Sequence, residues 1–229
     1  MNKYNKYPMV VNSNLINFFK EKNKKEEFTI LEVGCNVGHN LKALYEIYPK
    51  AKYYGIDILS EAIEQARNNF PEGNFFTFNI EDPPLYFDKY KFDYILCPDV
   101  LEHLSNPGIV LKYLKTILKP DGYIFANIPN LMHWSIIANL LLFGNFSYTE
   151  TGLLDYDHKH LFTLNEINKI FEKNNFIIDE IIFIKVGEIF DDYKEFFNLL
   201  VNTSNGNINI LQYETFTYML MAHKNEYIN

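Results

Sequence analysis

The chain has 229 residues, 48% of them hydrophobic and 17% aromatic, with a formal net charge of -8. That supply of apolar side chains excludes a disordered polypeptide and suits one domain with a sizeable core. An acidic balance without a long basic run argues against nucleic acid as the partner, because a phosphate backbone calls for clustered Lys and Arg. The cysteines Cys35 and Cys97 make no metal-ligand pair by spacing and are expected as free thiols rather than a disulfide. The N-terminal stretch lacks the apolar core of a signal peptide, and the most apolar run, residues 134–143, is too short to span a bilayer. The expected setting is the cytoplasm, with no membrane partner.

In chain order, a helix is expected over residues 12–21, with Leu15, Ile16, Phe18 and Phe19 on one face. It either caps a ligand cleft or covers an edge of the sheet. Residues 28–33 form an apolar, β-branched run that reads as a strand buried on both faces. Gly34, Cys35, Asn36, Val37 and Gly38 follow at once, and Leu41, Leu44, Tyr45 and Tyr48 then recur at helical spacing. Strands are expected at residues 52–56, 75–80, 92–97 and 123–128. Ser60 or Leu59 should open the helix after the second strand, with Ser60 in a capped start. Asn106-Pro107 should open another, with Pro at its first position. The rhythm then breaks: residues 129–162 form an insertion with a local helix over 134–143. Such an excursion inside a compact domain is usually a lid or otherwise functional. Thr163 with Glu166 is a capping box that opens a helix to about residue 174. Strands over residues 176–186 and 214–223 flank a helix over 189–201 and the loop Ser204-Asn205-Gly206-Asn207, so these strands can pair antiparallel. The alternation of strand and helix predicts an α/β fold with a mostly parallel sheet and helices on both faces. Residues 1–229 read as a single domain, with 1–27 as an N-terminal cap.

The chemistry concentrates where strand, glycine-bearing turn and helix meet. A turn there aims the N–H groups of a helix N-terminus at the end of a strand, where a nucleotide-like ligand binds. Gly34 can take a positive φ, and Gly38 lets the backbone approach a ligand. Asp57 ends the second strand about twenty residues on, where an acid can accept both hydroxyls of a ribose. Spacing alone also fits a nicotinamide dinucleotide. The turn does not: it reads E-V-G-C-N-V-G instead of G-x-G-x-x-G, and Glu32 would repel a pyrophosphate while suiting a cation.

The run Glu32-Val33-Gly34-Cys35-Asn36-Val37-Gly38, then Gly55-Ile56-Asp57, Phe92-Asp93-Tyr94-Ile95 and Asp99-Val100-Leu101-Glu102-His103-Leu104, resembles the successive motifs of class I S-adenosylmethionine-dependent methyltransferases. Leu118-Lys119-Pro120-Asp121-Gly122-Tyr123 resembles the turn before their fifth strand. The resemblance covers about residues 28–180. It implies a Rossmann-like sheet of seven strands with the last antiparallel, and S-adenosylmethionine (SAM) as cofactor with S-adenosylhomocysteine as product. It assigns Glu32, Gly34, Asn36 and Gly38 to the methionine part of SAM and Asp57 to the ribose. Ile58, Asn79, Ile80 and Glu81 fall to the adenine, and Pro98 and Asp99 to the neighbourhood of the sulfonium. Cys35 receives no chemistry.

The insertion carries a second resemblance. Ile128-Pro129-Asn130-Leu131-Met132-His133-Trp134 and Gly152-Leu153-Leu154-Asp155-Tyr156-Asp157-His158-Lys159-His160-Leu161-Phe162-Thr163 look like a subgroup found among bacterial surface-polysaccharide genes. His160 stands where that subgroup has Arg, which removes a fixed bidentate cation for an acceptor's phosphate or carboxylate. The implied acceptor is a small sugar- or phosphate-bearing molecule. A hydroxyl acceptor needs its proton taken, and the candidate bases are His158 and His103, with Asp155 or Asp157 orienting the ring. No metal site is expected, because the insertion's ligand types fall on one short stretch with no partner cluster evident. The alternatives are methylation of nitrogen or a carboxylate on another metabolite, a SAM-binding protein without catalysis, and a nicotinamide-dependent oxidoreductase.

Overall fold

The structure, a computed structural model, describes residues 10–225. The first nine residues of the expected cap lie outside the described residues. The chain folds as α1 (Ser13–Lys22), β1 (Thr29–Val33), α2 (His39–Ile47), β2 (Lys52–Asp57), α3 (Ser60–Asn69), β3 (Asn74–Thr77), β4 (Phe92–Pro98), α4 (Pro107–Ile117), β5 (Leu118–Pro129), α5 (Trp134–Phe143), α6 (Leu164–Lys173), β6 (Phe176–Lys185), α7 (Asp191–Thr203), α8 (Ile210–Glu214) and β7 (Thr215–Lys224). Seven strands form one sheet in the order β3-β2-β1-β4-β5-β7-β6. The first five pair parallel, and β7 runs antiparallel to both β5 and β6. This is the Rossmann-like arrangement expected from the sequence. Among the described residues no helix is long and apolar enough to cross a membrane.

The two-residue period of a strand builds both faces of the core. Along β4, Ile95 and Cys97 enter a layer with Val110, Leu111 and Leu114 of α4 and Ile167 and Phe171 of α6. Tyr94 and Leu96 enter the opposite layer with Leu41 and Leu44 of α2 and Ile63 and Ala66 of α3. The helix α1 covers a sheet face rather than an edge: Phe19 sits edge-on to Tyr94 at 4.9 Å, and Phe18 to Phe125 at 5.4 Å. Helices α5 and α7 share a smaller core with Ala138, Phe197 and Tyr213, where Trp134 packs against Phe190 at 4.9 Å. Trp134 therefore packs the helix of the insertion against the start of α7.

Several boundaries differ from the sequence reading. Strand β3 stops at Thr77 because Asn79 turns the chain, its Oδ1 accepting the N–H of Glu81 at 3.0 Å. Ser60 does not cap α3. Leu59 holds the N-cap position, and its N–H donates to Asp57 Oδ1 at 2.9 Å. The helix α8 was not expected; a capping box of Asn209 and Gln212 opens it just before β7. Asn106 caps α4 with Pro107 in the first turn, as its sequence indicates. The insertion starts and ends side by side: Leu131 N–H donates to Phe162 O at 2.8 Å.

Candidate functional site: a cleft at the carboxyl ends of the central strands

The sheet order departs in opposite directions from β1, toward β2 on one side and β4 on the other. The carboxyl ends of these strands therefore diverge and leave a crevice, the place where open α/β sheets take ligands. The turn after β1 is shaped by left-handed backbone at Gly34 (φ 69°), Asn36 (φ 48°) and Gly38 (φ 77°). A Cβ at Gly34 would stand 3.0 Å from Val100, and one at Gly38 would stand 3.0 Å from Phe75, so both positions lack room as well as conformational freedom. Asn tolerates this region better than other non-glycine residues.

Asp57 ties the turn to β2. Its Oδ2 accepts the Asn36 N–H at 2.9 Å while Oδ1 accepts that of Leu59. Burial pushes its carboxyl up, opposed by backbone N–H groups of Leu59, Asn36 and Ile58. A carboxylate has about four lone-pair sites, so acceptor capacity remains for ribose hydroxyls. Beside it Glu32 is 1% exposed. Its Oε1 accepts from Asn40 Nδ2 at 2.6 Å, but its Oε2 is buried without a hydrogen-bond partner. Burial pushes the Glu32 carboxyl up to about 8, against the Asn40 bond and with a further push from Asp57. Such an orphaned oxygen suits an ammonium group, as the methionine part of SAM carries. Asn36 Oδ1 is likewise buried without a partner. These residues fit SAM.

On the adenine side Ile58 is 64% exposed at the crevice mouth. The side chain of Ile80 packs into the core. Asn79 caps its own turn, and Glu81 Oε1 accepts the Asn106 N–H at 2.8 Å. Pro98 ends β4. Asp99 follows with φ 52°, its Oδ1 held by Asn127 Nδ2 at 2.6 Å. Burial pushes the Asp99 carboxyl up to about 6, opposed by that bond. Cys35 and Cys97 are buried free thiols pushed up by burial, which leaves both inert.

At the acceptor end the segment after β4 meets the end of the insertion. Lys159 and His160 donate their backbone N–H groups to Glu102 O at 2.8 and 3.0 Å. The His103 and His158 rings stand 4.8 Å apart, edge to face. Main-chain carbonyls meet both rings at Nδ1: His103 Nδ1 meets Asp157 O at 3.1 Å, and His158 Nδ1 meets Leu153 O at 3.0 Å; the Asp155 and Asp157 carboxylates lie close enough to act on His103 electrostatically. Burial pulls the His103 imidazole below its ordinary value. The Asp155 carboxylate is buried and accepts the Asp157 N–H at 2.7 Å. Lys159 and His160 are both tied to Ser105. Under the insertion lies a cavity of about 370 Å³ lined by Ser135, Asn139, Asn145, Ser147, Thr149 and Leu153, among others.

Asn40 beside Glu32 and Asn127 beside Asp99 are not singled out by the sequence, and Glu102 stands there only within a motif. For Asn40 the available signal was its place in the first turn of a helix that starts over Glu32.

Residues 4–181 match the methyltransferase-domain family. The chain is 36% identical over 102 residues to a tRNA U34 carboxymethyltransferase of Campylobacter fetus, covering 43% of this chain and 35% of that protein. It is 32% identical over 108 residues to a ubiquinone biosynthesis O-methyltransferase of Actinobacillus pleuropneumoniae, covering 44% of this chain and 45% of that one. The chain thus spans less than half the length of these curated relatives. A S-adenosylmethionine-dependent methyltransferase from Clostridium acetobutylicum shares the fold at a TM-score of 0.61 and 16% identity, covering 93% of this chain and 90% of that one.

Proposed function

The chain belongs to the methyltransferase-domain family, and from that premise we propose that it moves the methyl group of SAM to an oxygen of a small sugar-bearing precursor of a bacterial surface glycan. One observation carries the cofactor reading: Glu32 Oε2 is buried and unpartnered beside a turn that Asp57 braces. The ammonium of SAM satisfies the first carboxylate, and the ribose hydroxyls reach the second. The cavity under the insertion supports the acceptor. Its lining mixes Ser135, Asn139, Asn145, Ser147 and Thr149 with the apolar Ile136, Leu153, Leu154 and Phe216 and has no Lys or Arg, which suits a neutral face carrying some hydroxyls better than a phosphate. The likeness to a ubiquinone biosynthesis O-methyltransferase supports oxygen as the accepting atom.

The transfer is an in-line displacement. An acceptor oxygen bonds the methyl carbon as the carbon–sulfur bond breaks, the sulfonium becomes the neutral thioether of S-adenosylhomocysteine, and the hydroxyl proton passes to water beside the His103–His158 pair. The protein's part is alignment and exclusion of water. Incubation with methyl-labelled SAM and a panel of nucleotide sugars tests this. Label on a sugar oxygen is expected. Label found only on amines or carboxylates overturns the oxygen assignment, and SAM binding without S-adenosylhomocysteine from any acceptor marks a non-catalytic SAM-binding protein.

A further inference from the structure

We propose that Glu102, His103 and His158 form a site for one divalent transition-metal ion, of the zinc type, at the acceptor end of the cleft. Their ligating atoms all lie within 4.8 Å of one another. Two segments far apart in sequence supply them, the turn after β4 and the end of the insertion. The side chain of Glu102 is 1% exposed, and neither of its oxygens has a hydrogen-bond partner. A carboxylate left in that state is costly unless a cation meets it. Among the described residues no Lys or Arg forms an ion pair with Glu102 or Asp99. Glu102 is therefore a buried carboxyl with neither a hydrogen-bond donor nor a paired Lys or Arg.

The imidazoles are set up as ligands. A carbonyl only accepts, so Nδ1 of each ring carries a proton toward Asp157 O or Leu153 O, and Nε2 is the atom each ring would turn to an ion. An Nδ1–H held by a backbone carbonyl is the usual outer support of a metal-bound histidine. Two imidazoles and one carboxylate suit zinc or a neighbouring transition ion, whereas magnesium and calcium prefer oxygen donors. Ligands about 2.1 Å from one ion stand roughly 3–4 Å apart, so the three draw together by about 1 Å on binding. Three protein ligands leave a coordination position open.

The role of the ion rests on the methyl-transfer reading above. The open position takes the acceptor hydroxyl and lowers its pKa. The proton passes to water, and the oxygen then bonds the methyl carbon as the carbon–sulfur bond breaks. The histidines hold the ion instead of taking the proton themselves.

The full-length protein, freed of any affinity tag and stripped with chelator, is titrated with zinc alone and, in parallel, with cobalt(II). One zinc per chain should survive gel filtration, and cobalt should give visible absorption bands that zinc abolishes. Glu102→Gln and His158→Gln should each weaken zinc binding at least about tenfold, with melting curves confirming that both variants fold. A variant that fails to fold is replaced by His103→Gln. Zinc held equally by folded variants, an adventitious ion only, overturns the site. Zinc bound by the site with turnover unaffected by chelator overturns its role toward the acceptor. Zinc bound by the site with no methyl transfer to any acceptor leaves the site standing and sinks the transferase reading instead.

Discussion

At the scale of single residues, the cofactor end depends on two carboxylates in unlike environments. Glu32 is buried with one oxygen unpartnered and its carboxyl pushed up to about 8 by burial, so at neutral pH it holds a proton. An ammonium seated against it drives that proton off. SAM binding at pH 7 should therefore release a proton, seen calorimetrically as a heat that varies with the ionisation enthalpy of the buffer, and Glu32→Gln should remove that dependence. Asp57 braces the turn through Asn36 and keeps acceptor capacity for hydroxyls. Asp57→Ala should weaken SAM binding by about 1–3 kcal/mol, the cost of leaving polar partners unmet; titration calorimetry showing unchanged affinity would refute its role. Asp57 was legible in the sequence because a strand end about twenty residues beyond the turn is a fixed distance in a βαβ unit. Asn40 and Asn127 were not, since their importance comes from which carboxylate the folded chain sets beside them.

Among elements, the β1–α2 turn and β2 are locked together by close packing. A Cβ at Gly55 would stand 2.7 Å from both Cys35 Sγ and Phe75. Gly55→Ala should cost about 1–3 kcal/mol of stability through overpacking, measured by urea unfolding, and an unchanged midpoint would contradict the packing. Helix and strand identities were readable because their hydrophobic periods are long and clean, as in α4, which buries Val110, Leu111, Leu114 and Ile117. The short α8 was not, because its five residues carry less than two turns of pattern and owe their shape to the Asn209–Gln212 cap and the packing of Tyr213. The histidine pair shows the same limit. His103 and His158 were each visible as candidates, but that Glu102 joins them is a product of the insertion folding back onto the segment after β4.

For the molecule as a whole, the end of the sheet away from the cleft is fastened at Asp93. Its carboxylate accepts from Lys25, Lys119 and Thr29, joining the starts of β1, β4 and β5. Burial pushes this carboxyl up, but the bonds from Lys119, Lys25 and Thr29 outweigh it and hold it below the ordinary carboxylate range. Because the folded value is depressed, the stabilisation is full above the unfolded value near about 4 and fades as pH falls through the lower folded value. The lysines are partly exposed, so Asp93→Asn should cost only about 1–2 kcal/mol at pH 7, and the gap to the unmodified protein should close in acid; a gap independent of pH would contradict the assignment. The opposite end, where the strands diverge, is the cleft on which the account turns. Titration calorimetry of the same protein with SAM and with NAD tests it most directly: one SAM per chain with no measurable heat from NAD is the predicted result, and NAD binding without SAM binding would contradict it.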